Sequence, residues 1–266
     1  MLFEVASRLP PSVLRAVGRA QFRSPLVARA VRLATGGLTG SGVIRHGVGA
    51  GLRFDASGGY PGYLLGTTEP AEQALVAEHL AAGGVFYDIG ANIGFYTTIA
   101  ARLVGSAGQV YAFEPYPPSC ASVAANAALN GFVNVTVVPA AVSDRPGRMT
   151  LGLAEHSAKH ALAEGAGLEV DVIALDGWLL QERARPPTLV MIDVEGAELA
   201  VLGGMAQTLA EHRPVVCCEV HWLGERFLDF CRHDLAALGY GVRNLDGGPL
   251  PTEGRWHAVL TSNAPR

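Results

Sequence analysis

From residue 69 onward, short continuous apolar runs alternate with longer segments in which apolar residues recur every three or four positions. The continuous runs predict strands buried on both faces, and the periodic segments predict amphipathic helices. Predicted strands are GVFYDIG, GQVYAFEP, NVTVVPA, RMTLGLA, LEVDVIAL, TLVMIDVEG, RPVVCCEVHW, YGVRNL and WHAVLTS. Predicted helices are EPAEQALVAEHLAA, FYTTIAARLV, PSCASVAANAALN, AELAVLGGMAQTLA and GERFLDFCRHDLAALG. Strands that alternate with helices of this length indicate an α/β fold with a mostly parallel sheet and helices on both faces.

The first 66 residues follow a different pattern and are predicted to form an extension to a domain over residues 67–266. Residues 1–35 form a basic amphipathic segment that prolines divide into short helices. This segment would pack on the main domain or in a homodimer; the alternative is peripheral contact with a membrane surface or an acidic partner. Residues 36–66 are rich in glycine, with VIRHGV and LRFDA as candidate short strands. We expect the extension to provide lid, acceptor or dimer contacts.

Composition and charge give no sign of a nucleic-acid partner, a membrane span or a signal peptide. The formal net charge of −4 gives no indication of nucleic-acid binding, and no apolar run reaches the roughly 18 residues of a membrane span. The N-terminus lacks the apolar core of a signal peptide, so a cytoplasmic location is expected. The four cysteines lack CxxC spacing and are predicted to be buried thiols, with Cys217 and Cys218 on opposite faces of one strand.

The stretch FYDIGANIGFYTTIA at residues 86–100 has the form strand, glycine loop, helix. It does not match the dinucleotide pattern GxGxxG, because Asp88 precedes Gly90 and a carboxylate there would repel a pyrophosphate. Glu114 ends the next strand at the distance where an acidic residue binds ribose hydroxyls. An adenosine ligand with a cationic end fits, and S-adenosylmethionine is such a ligand. The alternatives are that Asp88 bonds the N-terminus of the following helix, and that Glu114 is a surface carboxylate.

Six ordered segments carry a family resemblance: DIGANIGFYTTIA, VYAFEPYPPSCASVAANAALNG, AAVSDRPG, VIALDGWL, MIDVEGAELAVLGGM and VVCCEVH. Together they resemble the FkbM-type family of S-adenosylmethionine-dependent methyltransferases. The resemblance implies a class I methyltransferase fold (Rossmann-like), a seven-stranded sheet whose last strand is antiparallel, and O-methylation of a hydroxyl on a natural product or sugar. By the same resemblance, the cofactor-binding residues are Glu69, Asp88, Gly90, Ala91, Asn92, Gly94, Glu114, Pro115, Tyr116, Ala141 and Val142. One departure is Met191, which stands where the family usually has a lysine.

Two strand ends, IDVEG and CCEVHW, offer groups for the chemistry. If these strands are neighbours, Asp193, Glu195, Glu219 and His221 converge at the carboxyl edge of the sheet. His221 is our first choice as the base that activates the acceptor hydroxyl; the alternatives are a hydrogen bond to a carboxylate and a metal-ligand role. Asp193 would line the methyl-transfer site beside the cofactor. Glu195 would hold the acceptor or cap the helix after Gly196.

A divalent ion such as Mg²⁺ or Mn²⁺ on Asp193, Glu219 and His221 is a further alternative that spacing alone does not favour. The acceptor would contact Glu195, Glu219, His221 and Trp222, together with His160 from a His-rich loop; core packing and a solvated loop are the other interpretations of Trp222 and the loop. His46, His79 and His257 are predicted to be structural. Competing functions are an NAD-dependent oxidoreductase on a similar sheet and a non-catalytic cofactor-binding protein.

Overall fold

The computed structural model describes residues 40–57, 62–152 and 167–263, and the backbone alone of residues 161 and 162. The predicted N-terminal amphipathic segment and His160 lie outside these ranges. None of the helices in the described ranges has the length and apolar character needed to cross a bilayer.

Thirteen strands are assigned within the described ranges. They are β1 (Ser41–Val43), β2 (Arg53–Asp55), β3 (Val85–Ile89), β4 (Gln109–Phe113), β5 (Val135–Val138), β6 (Ala141–Ser143), β7 (Gly147–Gly152), β8 (Ala161–Leu162), β9 (Leu168–Ala174), β10 (Leu189–Ile192), β11 (Val215–His221), β12 (Tyr240–Asn244) and β13 (Arg255–Ser262). Seven of them form the main sheet in the order β12-β13-β11-β10-β3-β4-β5.

The pairing directions confirm the expected architecture. Strands β11, β10, β3, β4 and β5 are parallel to one another, whereas β13 is antiparallel to both β11 and β12. The last strand of the chain therefore lies between two earlier ones, as the resemblance implied. Strand order reverses between β3 and β10, and this is where an open α/β sheet provides a ligand crevice at the carboxyl ends of its strands.

Helices cover both faces of the sheet. They are α1 (Gly62–Leu65), α2 (Pro70–His79), α3 (Phe95–Val104), α4 (Pro117–Leu129), α5 (Leu175–Gln181), α6 (Glu198–Gly203), α7 (Ala206–His212) and α8 (Glu225–Phe230), which continues as a π-helical turn over Cys231–Leu235. Both α2 and α4 begin with proline, which is favoured at the first helical position because its missing N–H has no intrahelical partner there.

Two apolar cores hold these layers together. One contains Cys217 and the apolar sides of α2 and α3, and the other contains Cys218 and the apolar sides of α6 and α7. The two thiols thus lie on opposite faces of β11, as predicted. Met191 packs in the first core, so at this position the chain makes an apolar contact.

Two details differ from the sequence prediction. The segment AELAVLGGMAQTLA was expected to be one helix but forms α6 and α7, which are separated at Gly204 and Met205. The backbone of Gly204 lies so close to the carbonyl of Ser143 that a Cβ there would overlap it. The run VIRHGV was expected to be a strand, but pairing ends at Val43. The strands β6, β9, β7 and β8 form a separate four-stranded sheet that includes both predicted runs, RMTLGLA and LEVDVIAL.

Candidate active site

A cleft that is partly open to solvent lies at the carboxyl ends of β3, β4 and β10. It is lined by Ile89, Gly90, Asn92, Phe113, Glu114, Pro115, Ala140, Ala141, Val142, Leu151, Asp193, Val194, Glu195 and Ala197. Eight predicted site residues are among these, so the segments singled out in the sequence meet at one crevice.

The glycine loop is built by left-handed backbone at Gly90, Asn92 and Gly94, with φ values of 86°, 50° and 84°. A Cβ at Gly90 would overlap the carbonyl oxygen of Asp193, so glycine here lets β3 and the end of β10 approach each other closely. A Cβ at Gly94 would lie 3.1 Å from the Cα of Val123. Gly94 therefore allows α3 to approach α4 closely.

The Glu114 carboxylate fixes the loop to the next strand. Its Oε2 accepts a hydrogen bond from the Asn92 N–H at 2.8 Å, and its Oε1 accepts one from the Tyr116 N–H at 2.8 Å. Only 7% of Glu114 is exposed, so the surface-carboxylate alternative is wrong. Burial raises the pKa of Glu114 to about 7, although both hydrogen bonds oppose that rise.

Asp88 lies beneath the loop rather than among the lining residues. Its Oδ2 accepts a hydrogen bond from the hydroxyl of Thr97 in the first turn of α3, which is the alternative considered from the sequence. Burial raises the pKa of Asp88 to about 6. Glu69 caps α2 with φ of 46°, and its Oε2 accepts a hydrogen bond from the Tyr96 hydroxyl at 2.8 Å. Direct cofactor contact by Asp88 or Glu69 stays a prediction.

The opposite wall of the cleft is apolar. Pro115, Ala141, Val142 and Leu151 line it, while Tyr116 packs behind them against the core of the second sheet. The polar floor carries the side-chain oxygen of Asn92, which is buried and has no hydrogen-bond partner among the described residues. A ligand with a flat apolar part and hydrogen-bond donors would satisfy both surfaces.

Next to the cleft lies a group of ionisable side chains that we call the His221 cluster. Its members come from the ends of β10 and β11 and from the start of α6: Asp193, Glu195, Glu198, Glu219 and His221. Strands β10 and β11 are neighbours, so the predicted convergence is confirmed. The His221 Nε2 lies 3.5 Å from Glu195 Oε2, 3.7 Å from Asp193 Oδ1 and 3.8 Å from Glu219 Oε2.

Glu198 orients the imidazole. Its Oε1 lies 2.7 Å from His221 Nδ1 and also accepts a hydrogen bond from the Gly196 N–H at 2.8 Å. The capping role considered for Glu195 is therefore wrong, because Glu198 bonds that N–H. Sequence reasoning missed Glu198, which is the first residue of α6.

Burial and the close approach of several carboxylates shift the pKa values of the cluster. Burial and the neighbouring Asp193 raise the pKa of Glu219 to about 9. Burial also raises the pKa of Asp193 to about 6, while His221 lowers it. Burial by itself would lower the pKa of His221, but the hydrogen bond to Glu198 and the charge of Asp193 outweigh it and raise this pKa. The neighbouring carboxylates therefore add to the effect of burial at Glu219 and oppose it at His221, and in both cases they favour a bound proton.

Strand β13 adds two groups that the sequence analysis did not place here. Arg255 Nε lies 2.8 Å from Glu219 Oε1, and His257 Nδ1 lies 3.0 Å from Glu72 Oε1. His257 also pairs with Glu219 in the β11–β13 register, so it lies beside the cluster. Burial lowers the pKa of His257 to about 4 and raises that of Glu72 to about 7, so both groups favour their neutral forms.

Trp222 follows β11 with a left-handed φ of 51° and is 70% exposed, so core packing does not explain it. Its ring centroid is 5.7 Å from that of His221. Trp222 is therefore close to the cluster and open to an incoming molecule.

Comparison with known proteins assigns the chain to a family. The sequence model described as the methyltransferase FkbM domain matches residues 88–241, more than half of the chain. Hexuronic acid methyltransferase AglP of Haloferax volcanii is 27% identical over 151 residues, which span 55% of this chain and 60% of AglP.

Two solved structures have a similar fold. The methyltransferase FkbM of Methylobacillus flagellatus KT is 16% identical, with a TM-score of 0.47 over 75% of this chain and 53% of that protein. A putative methyltransferase from Streptococcus mutans in complex with SAH is 13% identical, with a TM-score of 0.44 over 71% of this chain and 93% of that protein. The family assignment rests on the sequence match rather than on these structures. With its glycine loop, strand order and ordered motifs, the chain belongs to the FkbM methyltransferase family.

Proposed function

We propose that this protein is an S-adenosylmethionine-dependent O-methyltransferase that acts on a hydroxyl of a sugar or another natural product. The observation that carries the proposal is the direct contact between two sites. The glycine loop, suited to a nucleoside, touches the Asp193 backbone through Gly90, and Asp193 belongs to the His221 cluster. A cofactor on the loop would therefore have its reactive end at the cluster.

The residues of the cleft fit this cofactor. Glu114 offers carboxylate oxygens at the place expected for ribose hydroxyls, and the buried Asn92 oxygen can accept a further hydrogen bond. The apolar wall formed by Pro115, Ala141 and Val142 suits a purine ring. The carboxylates of Asp193 and Glu195 suit a cationic end and would oppose a pyrophosphate, which disfavours the NAD-dependent alternative.

When bound, S-adenosylmethionine would supply a methyl group activated by a sulfonium. The task of the chain is then to hold an acceptor oxygen in line with that methyl, because positioning of this kind can lower a barrier by about 7–11 kcal/mol. The His221 cluster is our candidate for activating the hydroxyl, since its imidazole and carboxylates can stabilise a proton or another cation beside the acceptor. Trp222 would provide a stacking face for the acceptor.

The acceptor class rests on a relative. AglP is named as a hexuronic acid methyltransferase, and a sugar hydroxyl is accordingly our first candidate. The stacking face of Trp222 also suits a sugar ring, since one side of such a ring is apolar. A hydroxyl of a non-sugar natural product is the second candidate.

Calorimetry of the full chain with S-adenosylhomocysteine and with NAD tests the cofactor. We expect binding of the former alone; binding of NAD alone would overturn the proposal. Transfer of a labelled methyl group to a panel of sugars and hydroxylated natural products then tests the acceptor. Loss of transfer in His221→Ala with unchanged cofactor affinity is the expected result, and unchanged turnover would remove His221 from the mechanism.

A further inference from the structure

The His221 cluster contains a buried nitrogen that has no hydrogen-bond partner among the described residues. The side chain of His221 is fully buried, and its Nδ1 is bonded to Glu198. Its Nε2 has no hydrogen-bond partner, although a buried polar atom normally has one. Glu198 therefore fixes the ring so that the other nitrogen points to the remaining carboxylates.

The spacing around Nε2 does not correspond to hydrogen bonds. The nearest oxygens of Glu195, Asp193 and Glu219 lie 3.5, 3.7 and 3.8 Å away. Nitrogen–oxygen hydrogen bonds are about 2.7–3.2 Å long, so these distances leave room between the atoms. The three carboxylates lie close together although none of them is hydrogen-bonded to Nε2. A cation between them would stabilise this arrangement.

The same spacing suits ligands of one metal ion. Two donor atoms about 2.1 Å from a shared ion and about 110° apart lie about 3.4 Å from each other. One donor atom each from Asp193, Glu219 and His221 lie within 4.8 Å of one another, so a single ion can reach all three. The donor set is one imidazole nitrogen with carboxylate oxygens, which suits divalent ions such as Mn²⁺.

We propose that Asp193, Glu219 and His221 form a binding site for a divalent metal ion, with Glu195 beside its open face. Glu198 is a positioning residue, because it fixes the imidazole through Nδ1 in the way that carboxylates orient metal-binding histidines. Arg255 holds the outer oxygen of Glu219, so the oxygen that faces Nε2 stays directed at the ion.

The catalytic consequence rests on the proposed function, although binding itself does not. A bound divalent ion would coordinate the acceptor hydroxyl through its open face and lower the pKa of that hydroxyl. His221 is then a ligand rather than a base, and the acceptor loses its proton to solvent or to Glu195. The acceptor oxygen would form a bond to the methyl carbon as the carbon–sulfur bond of the methyl donor breaks. The electron pair of that bond would stay on sulfur, so that S-adenosylhomocysteine leaves as a neutral thioether and no oxidation or reduction is involved.

Binding of Mn²⁺ to the chelator-treated full chain tests the site without any cofactor or acceptor. Loss of the free-ion signal in electron paramagnetic resonance should report one ion per chain. His221→Gln and Asp193→Asn should each weaken this binding at least tenfold. His212→Gln and Glu182→Gln, which change exposed side chains away from the cleft, should leave it unchanged.

Circular dichroism and thermal melting establish whether each variant is folded. Should His221→Gln be unfolded, Glu195→Gln at the partly exposed rim of the cluster provides the test, with a several-fold loss of Mn²⁺ affinity expected. Absence of Mn²⁺ binding to the wild-type chain would overturn the metal site, as would equal binding by every folded variant.

A separate titration with S-adenosylhomocysteine distinguishes this inference from the proposed function. If S-adenosylhomocysteine binds and Mn²⁺ does not, the metal site alone is overturned. The carboxylates of the cluster would then be interpreted as a site for the ammonium group of a ligand. Binding of Mn²⁺ without the nucleoside overturns the proposed function alone.

Discussion

Replacement of Glu114 by glutamine is the sharpest test of the nucleoside site. The carboxylate accepts two backbone hydrogen bonds, from Asn92 and Tyr116, and still has lone pairs facing the cleft. In Glu114→Gln, one of the two N–H groups would face an amide NH₂ instead of an oxygen. An unsatisfied buried donor costs about 1–3 kcal/mol, so the melting temperature should fall by roughly 2–10 °C for a domain of this size.

Glu114→Gln should also weaken cofactor binding. A hydrogen bond to a charged group contributes about 1.5–3 kcal/mol, which corresponds to an affinity loss of about 10- to 100-fold for S-adenosylhomocysteine. Isothermal titration calorimetry at pH 8 measures it directly. Glu182→Gln, the same chemical change at an exposed position after α5, is the matched control and should bind like the wild type.

The pH dependence gives an independent check. The pKa of Glu114 is raised from 4.5 to about 7, so the folded chain keeps this proton where the unfolded chain has lost it. Stability contributed by the protonated group is thus fully present below about pH 4.5 and is lost as pH rises through 7. Cofactor affinity should move in the opposite sense and fall as pH decreases through 7, because the protonated carboxyl has fewer accepting sites for ribose hydroxyls.

Glu114→Gln should abolish the part of both pH responses that comes from this residue. The reasoning is refuted if the variant binds S-adenosylhomocysteine as tightly as the Glu182→Gln control while both are folded. It is also refuted if the wild-type affinity does not change between pH 6 and pH 8.

Three other outcomes are expected. Gly90→Ala should lower the free energy of unfolding by about 2 kcal/mol or more, because the φ of 86° and the close contact with Asp193 both exclude a Cβ. Gly177→Ala is the control, since Gly177 lies on α5 with open space around it and the substitution should not lower stability. Equal urea midpoints for the two variants would contradict this prediction. Trp222→Ala should change stability by less than about 0.5 kcal/mol but raise the KM for the acceptor, and an unchanged KM would remove its stacking role. Glu198→Gln should lower kcat about 10- to 100-fold and shift the pH–rate profile, while cofactor affinity stays unchanged. An unshifted profile would show that Glu198 does not act through His221.

Much of the fold was predictable because apolar periodicity directly reports buried faces. The strand RPVVCCEVHW is β11, and its neighbouring thiols divide between two cores as the period of two requires. The break between α6 and α7 follows the Gly203–Gly204 pair, and because glycine is unfavourable in a helix interior the segment itself contained a signal for it. The close approach of Gly204 to the carbonyl of Ser143, which is distant in sequence, was not predictable.

The site divided in a similar way. Convergence of Asp193 and His221 followed from their places at the ends of parallel strands, since such ends meet at one edge. The place of His257 depended on a tertiary fact, the antiparallel insertion of β13, which brings it opposite Glu219. A residue that looks isolated along the chain can thus belong to a site when its strand enters the sheet out of order.

This insertion also determines the order in which the site can assemble during synthesis. Arg255, which pairs with Glu219, follows it by 36 positions (255 − 219) and lies on a strand that is made after β11. Until β13 arrives, β11 has an open edge and Glu219 lacks Arg255 as a partner. The nascent chain can therefore form its glycine loop early, but it completes the acidic half of the cleft only after β13 has been made.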